Sequence, residues 1–66
     1  MKRDEYISAY KKGYKILEEE AEKQGYKYFE IVEDTYEYKY GLLLIAYEDY
    51  ERTVEIDHSC INLENI

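Results

Sequence analysis

Three groups of side chains in this 66-residue chain have types and spacings that could do chemistry. In Asp57-His58-Ser59-Cys60, His58 and Cys60 would point the same way on a strand, as a thiol nucleophile and its base must. Zinc would need four ligands, and there is no second Cys or His to supply them. The ordinary expectation is a lone buried thiol and a partly exposed imidazole at a strand end. The stretch Asp34-Thr35-Tyr36-Glu37-Tyr38-Lys39-Tyr40-Gly41 departs from a calcium loop, with tyrosines at ligand positions and a glycine that arrives too late. Paired carboxylates of the glycosidase kind need a cleft around a sugar, which so short a chain cannot enclose. There is no Gly-rich phosphate loop and no Gly-x-Ser-x-Gly. No catalytic residue, metal or cofactor is expected, and the chain reads as a binding protein rather than an enzyme.

Charge is the stronger signal. Sixteen Asp+Glu face nine Lys+Arg, a formal net charge of −7. Residues 1–25 are balanced, six against six, so the whole excess falls on residues 26–66. Side chains two apart on a strand share a face at about 6.6–6.8 Å, and the next strand lies about 4.8 Å away. On that geometry Glu55 and Asp57 form a row, and the acids of the two hairpin turns cluster at the sheet ends. Carboxylates at such intervals can imitate nucleic-acid phosphates and compete for a Lys/Arg groove. Tyr28, Tyr36, Tyr38, Tyr40, Tyr47 and Tyr50 share these segments, and tyrosine is enriched at binding hot spots. Direct binding of DNA or RNA is disfavoured, because this region has only three cations, Lys27, Lys39 and Arg52. A charge run is also the ordinary way to keep a small domain soluble, and several of the ten tyrosines must fill the core.

The elements that must position these groups follow from periodicity. Ile7, Tyr10, Tyr14, Leu17 and Ala21 recur at spacings of three and four, predicting an amphipathic helix over 4–24 with Asp4 as N-cap and Gly25 just past its end. Gly13, in mid-helix, marks a close approach to the sheet. The period then becomes two, predicting strands at about 26–33, 36–47 and 52–58 joined by acidic turns, with 59–66 an edge strand or an irregular cover. The fold class is α+β: one N-terminal helix on a three-stranded, possibly four-stranded, antiparallel meander. Leu42 and Leu44 would lie on one face of the middle strand, Leu43 and Ile45 on the other. One helix covers one face, so the tail or a partner must cover the second, unless a bulge at Gly41 shifts the faces.

Composition sets the remaining bounds. Leu, Ile, Val and Phe make up 15 of 66 residues, enough for one small domain but a thin core. One cysteine permits no internal disulfide, and Asp4-Glu5 directly after Lys2-Arg3 gives no expectation of a secretory leader. The longest apolar run, residues 42–47, is far too short for a membrane span, so a cytoplasmic setting is expected. Ile, Lys, Tyr and Asn, with AT-rich codons, outnumber Ala, Gly, Pro and Arg by 26 to 8, which hints at a low-GC bacterium, phage or plasmid.

In Glu30-Ile31-Val32-Glu33-Asp34-Thr35-Tyr36-Glu37-Tyr38 and Tyr47-Glu48-Asp49-Tyr50-Glu51 the chain resembles the small acidic proteins with which phages and plasmids block host defence nucleases, DNA mimics and anti-CRISPR proteins among them. The resemblance is compositional and implies a mode of action only: occupation of a basic nucleic-acid-binding surface. It makes Glu30, Glu33, Asp34, Glu37, Glu48, Asp49, Glu51, Glu55 and Asp57 the expected charge contacts and Tyr36, Tyr38 and Tyr50 the aromatic anchors. The implied partner is a basic nuclease or effector inside a bacterial host. The rival expectation is a small structural or regulatory homo-oligomer whose acids only solubilise it.

Overall fold

The computed structural model describes residues 1–66 and contains one helix and one sheet. Helix α1 spans Arg3–Gln24, followed by strands β1 (Tyr28–Glu33), β2 (Gly41–Tyr47) and β3 (Glu55–Asn62) and a single 3₁₀ turn, Leu63–Asn65. The strands form an antiparallel sheet in the order β1-β2-β3, so the most apolar strand is central and has no free edge. The α+β arrangement expected from the periodicities is the one observed.

The ends of α1 differ in how they are closed. Gly25 takes φ 76°, its N–H bonds to the Glu22 carbonyl and the N–H of Tyr26 to that of Ala21. This is a Schellman closure, which needs the left-handed residue that glycine supplies. At the other end Asp4 is not the N-cap. Lys2 holds that position without a side-chain bond, and Asp4 and Glu5 lie in the first turn, where the helix dipole favours negative charge.

The buried stripe of α1 is also rotated from the expected one. Ala9, Gly13, Leu17 and Ala21 are buried, while Ile7 and Tyr14 are 42% and 37% exposed. Small residues win this face because they let the helix backbone come close. A Cβ on Gly13 would sit 2.6 Å from Leu63 Cδ2, 3.0 Å from Ile61 Cδ1 and 3.1 Å from Ile66 Cδ1. The glycine thus marks a close approach, to the end of β3 and the tail. Leu17, Leu42, Leu44 and Leu63 fill the centre of the core.

Strand boundaries moved where turns took residues away. Residues 36–40 are bends rather than strand, and β2 starts at Gly41, whose Cα lies against the Asp34 carbonyl oxygen with no room for a Cβ. Residues 52–54 belong to the second turn, where Arg52 adopts φ 60°. In compensation β3 runs on through residues 59–62, which the sequence left to the tail. The register is unbroken at Gly41. The bulge lies instead in β3, where Ala46 pairs with Asp57 and Tyr47 with Glu55, leaving Ile56 extra.

Candidate interaction surface

Each strand offers one face to α1. Phe29 and Ile31 of β1, Leu42, Leu44 and Ala46 of β2, and Ile61 of β3 lie on the helix side. The 3₁₀ turn folds to that same side, held by the Leu63 N–H to the Tyr40 carbonyl at 2.8 Å, with Leu63 1% exposed. The tail therefore does not cover the second face. There Val32, Leu43, Ile45 and Cys60 stand together between Tyr28, Glu30 and Tyr47, all but Val32 half-buried.

The bulge at Ile56 separates two acids that a regular strand would align. Glu55 pairs with Tyr47 on the open face, where its carboxylate lies 3.9 Å from His58 Nδ1. Asp57 pairs with Ala46 on the helix side and accepts from the Tyr26 hydroxyl. Glu55 and Asp57 thus form no row.

The other expected contact residues fall at opposite ends of the molecule. Glu33, Asp34, Tyr36, Glu37 and Tyr38 lie where β1 meets β2, and Glu48, Asp49, Tyr50 and Glu51 lie where β2 meets β3. Glu30 sits midway along the edge strand β1, on the open face. An antiparallel meander alternates its turns between ends, so a single acidic wall is not formed. Tyr36 and Tyr50 are 97% and 82% exposed, as anchors must be, whereas Tyr38 is half-buried.

Several of these acids have internal work. Glu33 accepts from the Tyr6 hydroxyl at 2.7 Å and Glu30 from the Tyr47 hydroxyl at 2.6 Å, with Arg52 Nη1 3.4 Å from Glu30. The bond to Glu33, with burial and the Glu33 charge, pushes the Tyr6 phenol up to about 12. Tyr26 and Tyr47 are raised by the same kind of bond, to Asp57 and Glu30. Asp49 builds the second turn: it accepts from the Thr53 hydroxyl and from the N–H groups of Thr53 and Val54, which holds its carboxyl below the usual range. Asp34 shapes the first turn by accepting from the Tyr36 N–H at 2.9 Å.

Folding regroups the charge. The C-terminal end of α1 lies beside the β2–β3 turn, because β1 starts three residues past Gly25 and Tyr28 pairs with Tyr47. Glu18, Glu19, Glu20 and Glu22 of the last helical turns therefore join Glu48, Asp49, Glu51, Glu55 and Asp57 at one end, against Lys23, Lys27 and Arg52. These nine carboxylates and three cations account for six of the seven net negative charges. The opposite end is mixed. A shallow cleft of about 430 Å³ there is lined by Arg3 and Lys39 beside Tyr6, Glu33 and Tyr40. The helix acids were missed in the sequence because residues 1–25 are neutral as a whole. The signal was their position, basic residues leading and four glutamates trailing.

His58 and Cys60 share the open face, but the surroundings do not favour a thiolate. Burial, then Asp34 and Glu37, push the Cys60 thiol up, the reverse of nucleophile activation. No three of His, Cys, Asp and Glu converge in a metal-holding arrangement. Comparison with protein-family models, with curated proteins and with solved structures returned no match.

Proposed function

We propose that this protein is an acidic protein-binding inhibitor that occupies the basic nucleic-acid-binding surface of a host defence nuclease or effector, in the manner of DNA mimics and anti-CRISPR proteins. The observation that carries the reading is the pooling of carboxylates from α1 and the β2–β3 turn at one end, beside the solvent-exposed ring of Tyr50. Tyr50 meets Tyr28 edge to face at 6.0 Å, so the anchor is propped from behind. The carboxylates of Glu48 and Glu51 are exposed and make no hydrogen bond or ion pair within the chain. Action is by occupancy: carboxylates take the places of phosphates on the partner's Lys and Arg, and no bond is made or broken. The contact surface differs from the expected wall. It keeps Glu48, Tyr50 and Glu51, adds Glu18, Glu19 and Glu22, and leaves Asp49 and Asp57 to hold the structure.

The test is competition. Labelled duplex DNA bound to each of a panel of purified bacterial defence nucleases is titrated with this protein, and release is followed by anisotropy. Release from at least one nuclease is expected, with an affinity that falls steeply as salt rises to about 0.5 M. Release that is indifferent to salt, or absent across the panel, contradicts the reading.

A further inference from the structure

We propose that the cleft at the mixed end of the molecule is a binding site for a nucleoside monophosphate, separate from the acidic end. Three segments meet there: the start of α1 gives Arg3 and Tyr6, the end of β1 gives Glu33, and the first turn gives Thr35, Lys39 and Tyr40. The volume, about 430 Å³, lies within the roughly 300–1,000 Å³ of small-molecule sites.

The lining divides by chemistry. The Tyr6 and Tyr40 rings, with centres 5.7 Å apart and planes tilted by 55°, form the apolar part, against which a flat base can lie. Arg3 and Lys39 supply positive charge. Neither has an ion pair within the chain, and Lys39 Nζ stands 5.5 Å from the centre of the Tyr40 ring. Two such cations take an anion, and a phosphate monoester suits the guanidinium fork through paired N–H donors. Glu33 spends Oε1 on the Tyr6 hydroxyl, which fixes its carboxylate in the wall. Its other oxygen can accept from a ribose hydroxyl, and the Thr35 hydroxyl adds a donor. A flat ring, a dianion and a hydroxyl donor in one molecule of this size describe a nucleoside monophosphate.

The surrounding acids do not cancel the two cations. Asp4 and Glu5 line a different cleft, with Lys12 and Leu63. Asp34 accepts from the Tyr36 N–H, and its charge and that of Glu37 bear on Cys60, on the open face of the sheet. The cleft lies on the helix side, where its wall holds two cations to one carboxylate in a molecule of net charge −7. Lys27 and Arg52 also share a cleft, but it belongs to the acidic end and Arg52 is tied to Glu30. Because the site is open to solvent on one side, binding is weak, with a dissociation constant on the order of 0.1–1 mM.

Two-dimensional NMR of the full chain, titrated with adenosine monophosphate to roughly 5 mM, tests this. Saturable shifts are expected that centre on Arg3, Tyr6, Lys39 and Tyr40 and leave Tyr50 and Glu51 unmoved. Inorganic phosphate and adenosine, titrated separately, should each bind at least tenfold more weakly, since each makes only part of the contacts. Arg3→Gln with Lys39→Gln, both at exposed positions, should weaken the nucleotide at least tenfold. Lys39→Gln alone repeats the test should the double variant not fold. The proposal is overturned by an absence of shifts, by shifts spread over the whole surface, by phosphate or adenosine matching the nucleotide, or by variants that bind like the parent. Competition for nuclease-bound DNA draws on the other end of the molecule, so failure of either proposal is read separately.

Discussion

Tyr6, Tyr26 and Tyr47 each donate to a carboxylate at least 17 positions away in sequence, and these three bonds tie the helix ends and all three strands together. They make stability depend on pH from both sides. Asp49 and Asp57 titrate below their usual value, so their contribution is complete above about pH 4 and is lost as pH falls through the folded values. The three phenols are raised, so theirs is present below pH 10 and is lost as pH climbs through the folded values, about 12 for Tyr6. A urea midpoint measured against pH should show a neutral plateau that falls at both ends. Phenolate absorbance should include a late component near pH 12 that Tyr6→Phe removes. Sequence inspection could count phenols and acids but could not pair them, because each partnership spans separate elements. That is why Glu30, Glu33 and Asp57 were assigned to a partner when their own chain engages them.

At the scale of elements, periodicity located α1 to within a residue and found all three strands, since each kept its pattern over several turns or pairs. What it mislaid was set by tertiary contact. The helix stripe turned towards Ala9 and Gly13 because the tail needed space there, which no local pattern encodes. Gly13→Val should destabilise the fold by about 2 kcal/mol despite removing a helix glycine, as its methyls meet Leu63, Ile61 and Ile66. Leu63→Ala should cost about 3 kcal/mol, a large fraction of what so small a domain has, because the 3₁₀ turn closes the core. Chemical denaturation reads both. A Leu63→Ala protein as stable as the parent would mean that the tail is a loose appendage. Likewise, the expected row of Glu55 and Asp57 failed through one extra residue, Ile56, which turned Glu55 to the opposite face from Asp57.

The whole molecule measures 37 × 22 × 16 Å, and its charge is ordered along the long direction of the helix. A 22-residue helix is about 33 Å long, several times the screening length of about 8 Å at physiological salt, so its two ends act as separate electrostatic surfaces. Reading charge by segment located the excess on residues 26–66, but a fold collects charge by place. The acidic end draws on both halves of the chain.

That placement, rather than net charge alone, is the centre of the account, and a matched pair of double variants tests it most directly. Glu19→Lys with Glu51→Lys and Glu37→Lys with Glu64→Lys both reduce the net charge from −7 to −3, using four exposed positions, two at each end. Displacement of labelled DNA from a nuclease that the parent protein inhibits is then measured for both at one salt concentration. The account predicts that the first variant loses displacement by at least tenfold while the second stays close to the parent. Equal losses in the two variants, or a greater loss in the second, would contradict it.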